Sequence, residues 1–166
     1  GDEAQACAAL RQFSALAIET KTTGNVTDPP VAEVMAKLDP LPRGVTVLVE
    51  PSDNIGGGAP GDGTGLLRAL LDHRIGNAAI AINDPEAVRQ LSTMPAGTRT
   101  RLPIGGKGSR LDAGPLTLDV ELLRTSESQI ALSVKTAGMK LLVVGKCGGW
   151  RCDLCGWIIA DGAGHG

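Results

Sequence analysis

The feature that most limits what this chain can fold into is a glycine-rich stretch held between two apolar runs. Val45-Thr-Val-Leu-Val49 comes before it, and Leu66-Leu67 with Leu70-Leu71 comes after it. Between them stands Asp53-Asn54-Ile55-Gly56-Gly57-Gly58-Ala59-Pro60-Gly61-Asp62-Gly63-Thr64. A short β-branched run, a segment almost without bulky side chains and a leucine-rich run read as strand, loop and helix. A loop so poor in side chains can bring its main chain close to a ligand, a metal site or another domain.

The flanking chain fits an α/β fold. Ala6, Leu10, Phe13, Ala17 and Ile18 recur at helical spacing, so residues 4–19 read as a helix. A polar linker closed by Asp28-Pro29-Pro30 leads to a short helix over 30–38, and Asp39-Pro-Leu-Pro-Arg-Gly44 ends it. Residues 1–44 thus read as a helical arm and linker. Val45–Glu50 and Ala78–Ile82 read as buried strands. Asp62 or Thr64 is placed to cap the helix after the loop, and Asp84 followed by Pro85 to cap the next one. Strand, helix, strand, helix at this spacing predicts a right-handed parallel βαβ unit.

Beyond Gly97 the pattern changes. Thr98–Ile104, Leu116–Leu122 and Gln129–Val134 alternate polar and apolar residues, as half-exposed antiparallel strands do. The expected architecture is one α/β domain over residues 45–140, a small parallel βαβ core with an antiparallel β-rich C-terminal annex. Residues 141–166 form an atypical Cys/Trp/Gly tail. Its Cys147, Cys152, Cys155 and His165 resemble half a zinc ribbon, although a fourth cysteine is missing. A shift of reading frame near Cys147 would produce the same abrupt change of composition.

Charge and composition exclude several functions. A net charge of −2 offers no basic field for nucleic acid or an anionic membrane. No apolar run approaches the ~20 residues of a membrane span. The start, Gly1-Asp-Glu-Ala4, has neither Met nor a signal-peptide pattern, which suggests a fragment of a longer protein. Cys7 stands alone and the other three cysteines crowd the tail, which points to a reducing cytoplasm rather than to a disulfide framework. With only His73 and His165, the chain cannot build an ordinary histidine-based metal centre alone, and no catalytic triad is present.

Three readings compete for the loop. Gly56-x-Gly58-x-x-Gly61 matches the dinucleotide fingerprint, with Asp84 where a ribose-binding acid would stand. Against this nucleotide or small-ligand module stand the five residues between strand and first glycine and the charge of Asp62 at the helix entrance. In the second reading Asp53, Asn54, Asp62 and Thr64 turn oxygens toward one open, concave polar site. In the third, Asp53 and Asn54 satisfy the loop's own main chain and Asp62 caps the helix. Lys107, in Gly105-Gly-Lys-Gly108, is either a substrate-carboxylate contact or an exposed turn lysine.

The stretch Val47–Leu71, then Ile82-Asn-Asp-Pro-Glu-Ala-Val88, then Ile104-Gly-Gly-Lys107, resembles the C-terminal domain of the microcystinase C family, the M81 metallopeptidases. The resemblance runs from about residue 4 to about residue 140. It implies a two-domain, zinc-dependent amide or peptide hydrolase, with the zinc ligands and catalytic acid on an N-terminal domain not contained in this chain. The implied chemistry is hydrolysis by a metal-activated water. The implied partners are that N-terminal catalytic domain and a peptide or small amide substrate. The matching loop residues are Asp53, Asn54, Gly56, Gly57, Gly58, Gly61, Asp62 and Thr64, expected to face the cleft between the domains. The chain departs from the family after Gly138-Met139-Lys140, where its Cys/Trp/Gly tail begins.

Overall fold

The computed structural model describes residues 2–24, 27–125, 129–134, 139–145 and 157–161. The proposed zinc-ribbon residues Cys147, Cys152, Cys155 and His165 lie outside them. Two units are compact in themselves, residues 1–30 and residues 31–166. The first is one long helix, α1 (Glu3–Gly24), which buries none of its side chains. Its apolar residues Leu10, Phe13, Leu16 and Ile18 are all exposed.

Among the described residues the second unit is a seven-stranded mixed sheet with three short α-helices. Its elements are α2 (Val31–Lys37), β1 (Val45–Val49), α3 (Gly65–Asp72), β2 (Ala78–Asn83), α4 (Pro85–Leu91), β3 (Arg99–Ile104), β4 (Leu116–Thr125), β5 (Gln129–Val134), β6 (Lys140–Val144) and β7 (Trp157–Asp161). The strand order is β1-β7-β2-β6-β5-β4-β3. β2 and β6 pair in parallel, and every other neighbouring pair is antiparallel. The fold is α/β, as the pattern of runs predicts. The alternating strands continue the same sheet, because β6 joins them to β2. β1 and β2 run in the same direction, but β7 lies between them and pairs with both.

One face of this sheet carries the core. Leu48, Ile80, Ile82, Leu102, Ile104, Leu118, Val120, Leu122, Ile130, Leu132, Leu141 and Val143 are buried there. They alternate along each strand, and the register puts them side by side, as in Ile80↔Leu141↔Leu132↔Leu122. Met35 and Leu38, Leu66, Leu67 and Leu70, and Ala87, Val88 and Leu91 close over them from the three helical segments. Leucine at 66, 67 and 70 falls on one side of α3 because a helix repeats every 3.6 residues.

The opposite face explains why one expectation fails. β1 reads as a buried strand because every second residue is valine, yet Val45, Val47 and Val49 are 67 %, 44 % and 59 % exposed. Only Leu48 points into the core. β1 is an edge strand with one face open, and β-branched side chains suit an exposed strand position as well as a buried one. Along β3 the same open face is polar, with Arg99 and Arg101 exposed.

Candidate functional site

The glycine-rich loop sits at the C-terminal ends of β1 and β2, where ligands bind in open α/β sheets. It begins with two tight turns, Pro51–Asp53 and Ile55–Gly57. Glu50 starts the first by accepting from the amide and hydroxyl of Ser52. Asn54 Oδ1 starts the second by accepting from Gly56 N at 3.0 Å. Gly58 ends it in the left-handed region, φ +90°, a conformation that costs glycine little. Gly56, Gly57 and Gly58 are exposed and form the crest of the loop.

The acidic side chains turn inward from that crest. Asp53 accepts from Gly61 N at 2.9 Å and from Gly63 N at 2.6 Å, one oxygen to each. Burial pushes the Asp53 carboxyl above the ordinary value of 3.8; the two amides oppose this, and the charges of Asp62 and Glu50 add to it. Asp62 is 5 % exposed, and its Oδ2 accepts from Lys107 N and Gly108 N, both at 2.6 Å. Its main-chain oxygen accepts from Gly106 N at 2.7 Å. Asp62 therefore does not cap α3 and does not face an open surface. Its charge is matched by consecutive amides of a glycine turn, a nest for an anion already filled from within the chain.

Thr64 stands at the N-terminus of α3 and is fully buried, yet its side chain does not cap that helix. The cap comes from Asp112, whose Oδ2 accepts from Thr64 N at 2.8 Å. Asp112 Oδ1 accepts from the Thr64 hydroxyl and from Gly114 N, each at 2.8 Å. Arg68 donates to Thr64 Oγ1 at 3.1 Å and to the Gly114 carbonyl at 2.6 Å. Burial alone would raise the Asp112 carboxyl, but the Thr64 amide and hydroxyl, the Gly114 amide and the Arg68 charge outweigh it, so it titrates below 3.8. The helix terminus where a nucleotide pyrophosphate would bind thus holds a carboxylate of the protein itself. This removes the main support for reading the loop as a nucleotide cradle.

Asp84 caps α4 as its sequence predicts, with Oδ1 accepting from Ala87 N at 3.0 Å. It also accepts from Gly105 N at 2.9 Å and pairs with Lys107 Nζ at 3.0 Å. Lys107 Nζ lies 3.1 Å from Glu86 as well, and its side chain is 25 % exposed. The lysine is neither a free turn residue nor an unengaged carboxylate contact; it ties its own turn to the start of α4. Asn83 completes the join, donating to the carbonyls of Gly61 and Pro60.

Of the residues marked in the sequence, the structure brings Asp53, Gly61, Asp62, Thr64 and Lys107 into one interlocked base. Asn54 and Gly56–Gly58 stand above it on the crest. An open wall of aspartates is not formed, because each carboxylate has nearer partners in main-chain amides. Asp112, Arg68 and Asn83 carry much of the base and escape sequence reading. Asp112 is separated from Thr64 by 48 residues, and no local pattern announces a cap supplied across that distance. Among the described residues no three His, Cys, Asp or Glu side chains converge to hold a metal ion. The donor set among the described residues does not fit a zinc centre.

The fold and this loop define one α/β domain. A crystal structure of a protein assigned as a metallopeptidase, from Mesorhizobium sp. BNC1, shares the fold with a TM-score of 0.68 at 18 % sequence identity. The superposition covers 83 % of this chain and 31 % of that one. Microcystinase C from Sphingomonas sp. is 43 % identical over 75 residues, which are 45 % of this chain and 14 % of that protein. The family described as MlrC C-terminus matches residues 48–150, and this chain belongs to it. The chain therefore spans a minor part of the length of the relatives it matches.

Proposed function

We propose that this chain is the cleft-forming domain of a zinc-dependent amide or peptide hydrolase resembling microcystinase C. In this reading the zinc and the catalytic groups belong to an N-terminal domain of a longer protein, the substrate is a peptide or small amide, and the chain is inactive alone in a reducing, cytoplasmic setting. The observation that carries it is the build of the loop. Asp53, Asp62 and Asp112 turn carboxylate oxygens onto main-chain amides and hold up an exposed crest of glycine main chain at Gly56–Gly58, while Asp62 Oδ1 is buried without a partner among the described residues. Such a crest lets a substrate approach the main chain closely, and its rigid base keeps it in place. No step of metal chemistry is assigned to residues of this chain.

Two assays test the reading. The chain supplied with zinc and short peptides should give no turnover, and metal-dependent hydrolysis by the chain alone would refute its inactivity. In the longer protein, Gly57→Val should lower kcat/KM by about tenfold or more while zinc content stays the same. An unchanged kcat/KM would remove the crest from the substrate path.

A further inference from the structure

Two side-chain oxygens in the base of the loop are buried and accept no hydrogen bond among the described residues, Asp62 Oδ1 and Asn83 Oδ1. Folded chains rarely leave such acceptors unmatched. Their partners on the other side fix them as acceptors. Asp62 Oδ2 is held by Lys107 N and Gly108 N, and Asn83 Nδ2 donates to the Pro60 carbonyl at 2.7 Å, which settles which end of that amide is oxygen. Both side chains pack on one short segment. Asn83 also donates its main-chain amide to the Gly61 carbonyl, and Asp62 is the next residue. The Asp62 carboxylate lies beside the Pro60 ring: a Cβ at Gly108 would stand 2.6 Å from Pro60 Cβ and 3.2 Å from Asp62 Oδ2. The local charge is negative and unmatched. Among the described residues Glu50, Asp53 and Asp62 have no lysine or arginine within ion-pair distance, and Lys107 Nζ is engaged by Asp84 and Glu86. The three carboxylates feel one another: after burial, the charges of Asp62 and Glu50 are what raise the Asp53 carboxyl.

We propose that Asp62 Oδ1 and Asn83 Oδ1 bind a hard metal cation, of the sodium, magnesium and calcium class, in the base of the glycine loop. The guest has to bring positive charge to two acceptors and add no acceptor of its own, which a metal ion does. Carboxylate and amide oxygens are the ligands that hard cations take. The carbonyls of Pro60 and Gly61 each accept one bond from Asn83 and keep a second lone pair, so they can extend an all-oxygen set. With no nitrogen or sulfur donor, the site is chemically distinct from the zinc centre assigned above to another domain, and it stands or falls independently of that reading. Both oxygens are closed to solvent, so the ion is taken up as the loop folds and its binding is read as stability.

Thermal unfolding of the full chain, stripped of metal with a chelator, tests this. Sodium, magnesium or calcium chloride replaces choline chloride stepwise at constant ionic strength. The expected result is a Tm that climbs by several degrees with the logarithm of the concentration of one of these cations, while choline gives no rise. Asn83→Ala removes one ligand oxygen and should raise the apparent dissociation constant of that cation by about tenfold or more. Asp62→Asn should abolish the cation-specific rise. Because either variant can lose stability on its own account, the bound ion is also counted by equilibrium dialysis and elemental analysis below the unfolding temperature, where the parent chain should hold about one ion and Asn83→Ala less at the same free concentration. An equal response to all four salts overturns the proposal, since that is screening alone. So does a cation-specific rise that is the same in the parent chain and in Asn83→Ala, or a parent chain that retains no ion.

Discussion

Removing the carboxylate of Asp112 tests the account of the loop most directly. In Asp112→Ala the amide and hydroxyl of Thr64 and the amide of Gly114 lose their acceptor at once. Thr64 itself is 0 % exposed, so its amide and hydroxyl lose their acceptor in a buried setting. Loss of a helix cap costs about 1 kcal/mol, and a hydrogen bond to a charged group contributes about 1.5–3 kcal/mol. The three bonds share one carboxylate and are not additive, so the expected cost is about 3 kcal/mol. Urea unfolding measures it, as a lower midpoint with an unchanged slope. The cost should also depend on pH in a definite direction. Asp112 titrates lower in the folded chain than its ordinary 3.8, so its contribution is complete above that value and fades as pH falls through the folded pKa. The gap between the parent chain and Asp112→Ala should therefore close in acid. A cost below about 1 kcal/mol at neutral pH, or a gap that stays constant down to pH 2, would refute the reasoning.

Two further outcomes follow from the same base. Carbon-13 titration of the side-chain carboxyls should place Asp53 above 3.8 and Asp112 below it; the reverse order would mean that the two amides outweigh burial at Asp53. Gly58→Ala and Gly106→Ala both force a side chain onto positive φ, but a Cβ at Gly58 meets nothing within 4 Å, while one at Gly106 lies 2.4 Å from the Gly114 carbonyl carbon. The first should cost about 1 kcal/mol and the second several times that, as thermal or urea unfolding would show; equal costs would mean that the two loops do not touch.

Much of the fold is legible in the residues themselves. The helix over Val31–Lys37, the cap at Asp84 with Pro85 behind it, and the alternation of β4 and β5 all follow from local pattern, because helix period and strand period differ. What is not legible is pairing. Val45–Val49 looks alike whether it is buried on both faces or open on one, and only the strand order tells which. The insertion of β7 between β1 and β2 has no local sign either. At the loop, the residue types point to carboxylates with polar partners, but not to the direction in which they turn. That direction is decided by Lys107, Gly108 and Gly114, which come from the far side of β3.

That remote bracing has a kinetic consequence. The helix after the loop takes its cap from a residue 48 positions further on, and Asp62 finds its amides at separations of 45 and 46. None of these bonds can close until β3 has been placed and the chain beyond it has returned. Closing so large a loop costs entropy before any contact repays it. The glycine crest should thus be among the last parts of the domain to order during folding. Its contacts stay unmade in the transition state, so damage to them appears chiefly as faster unfolding.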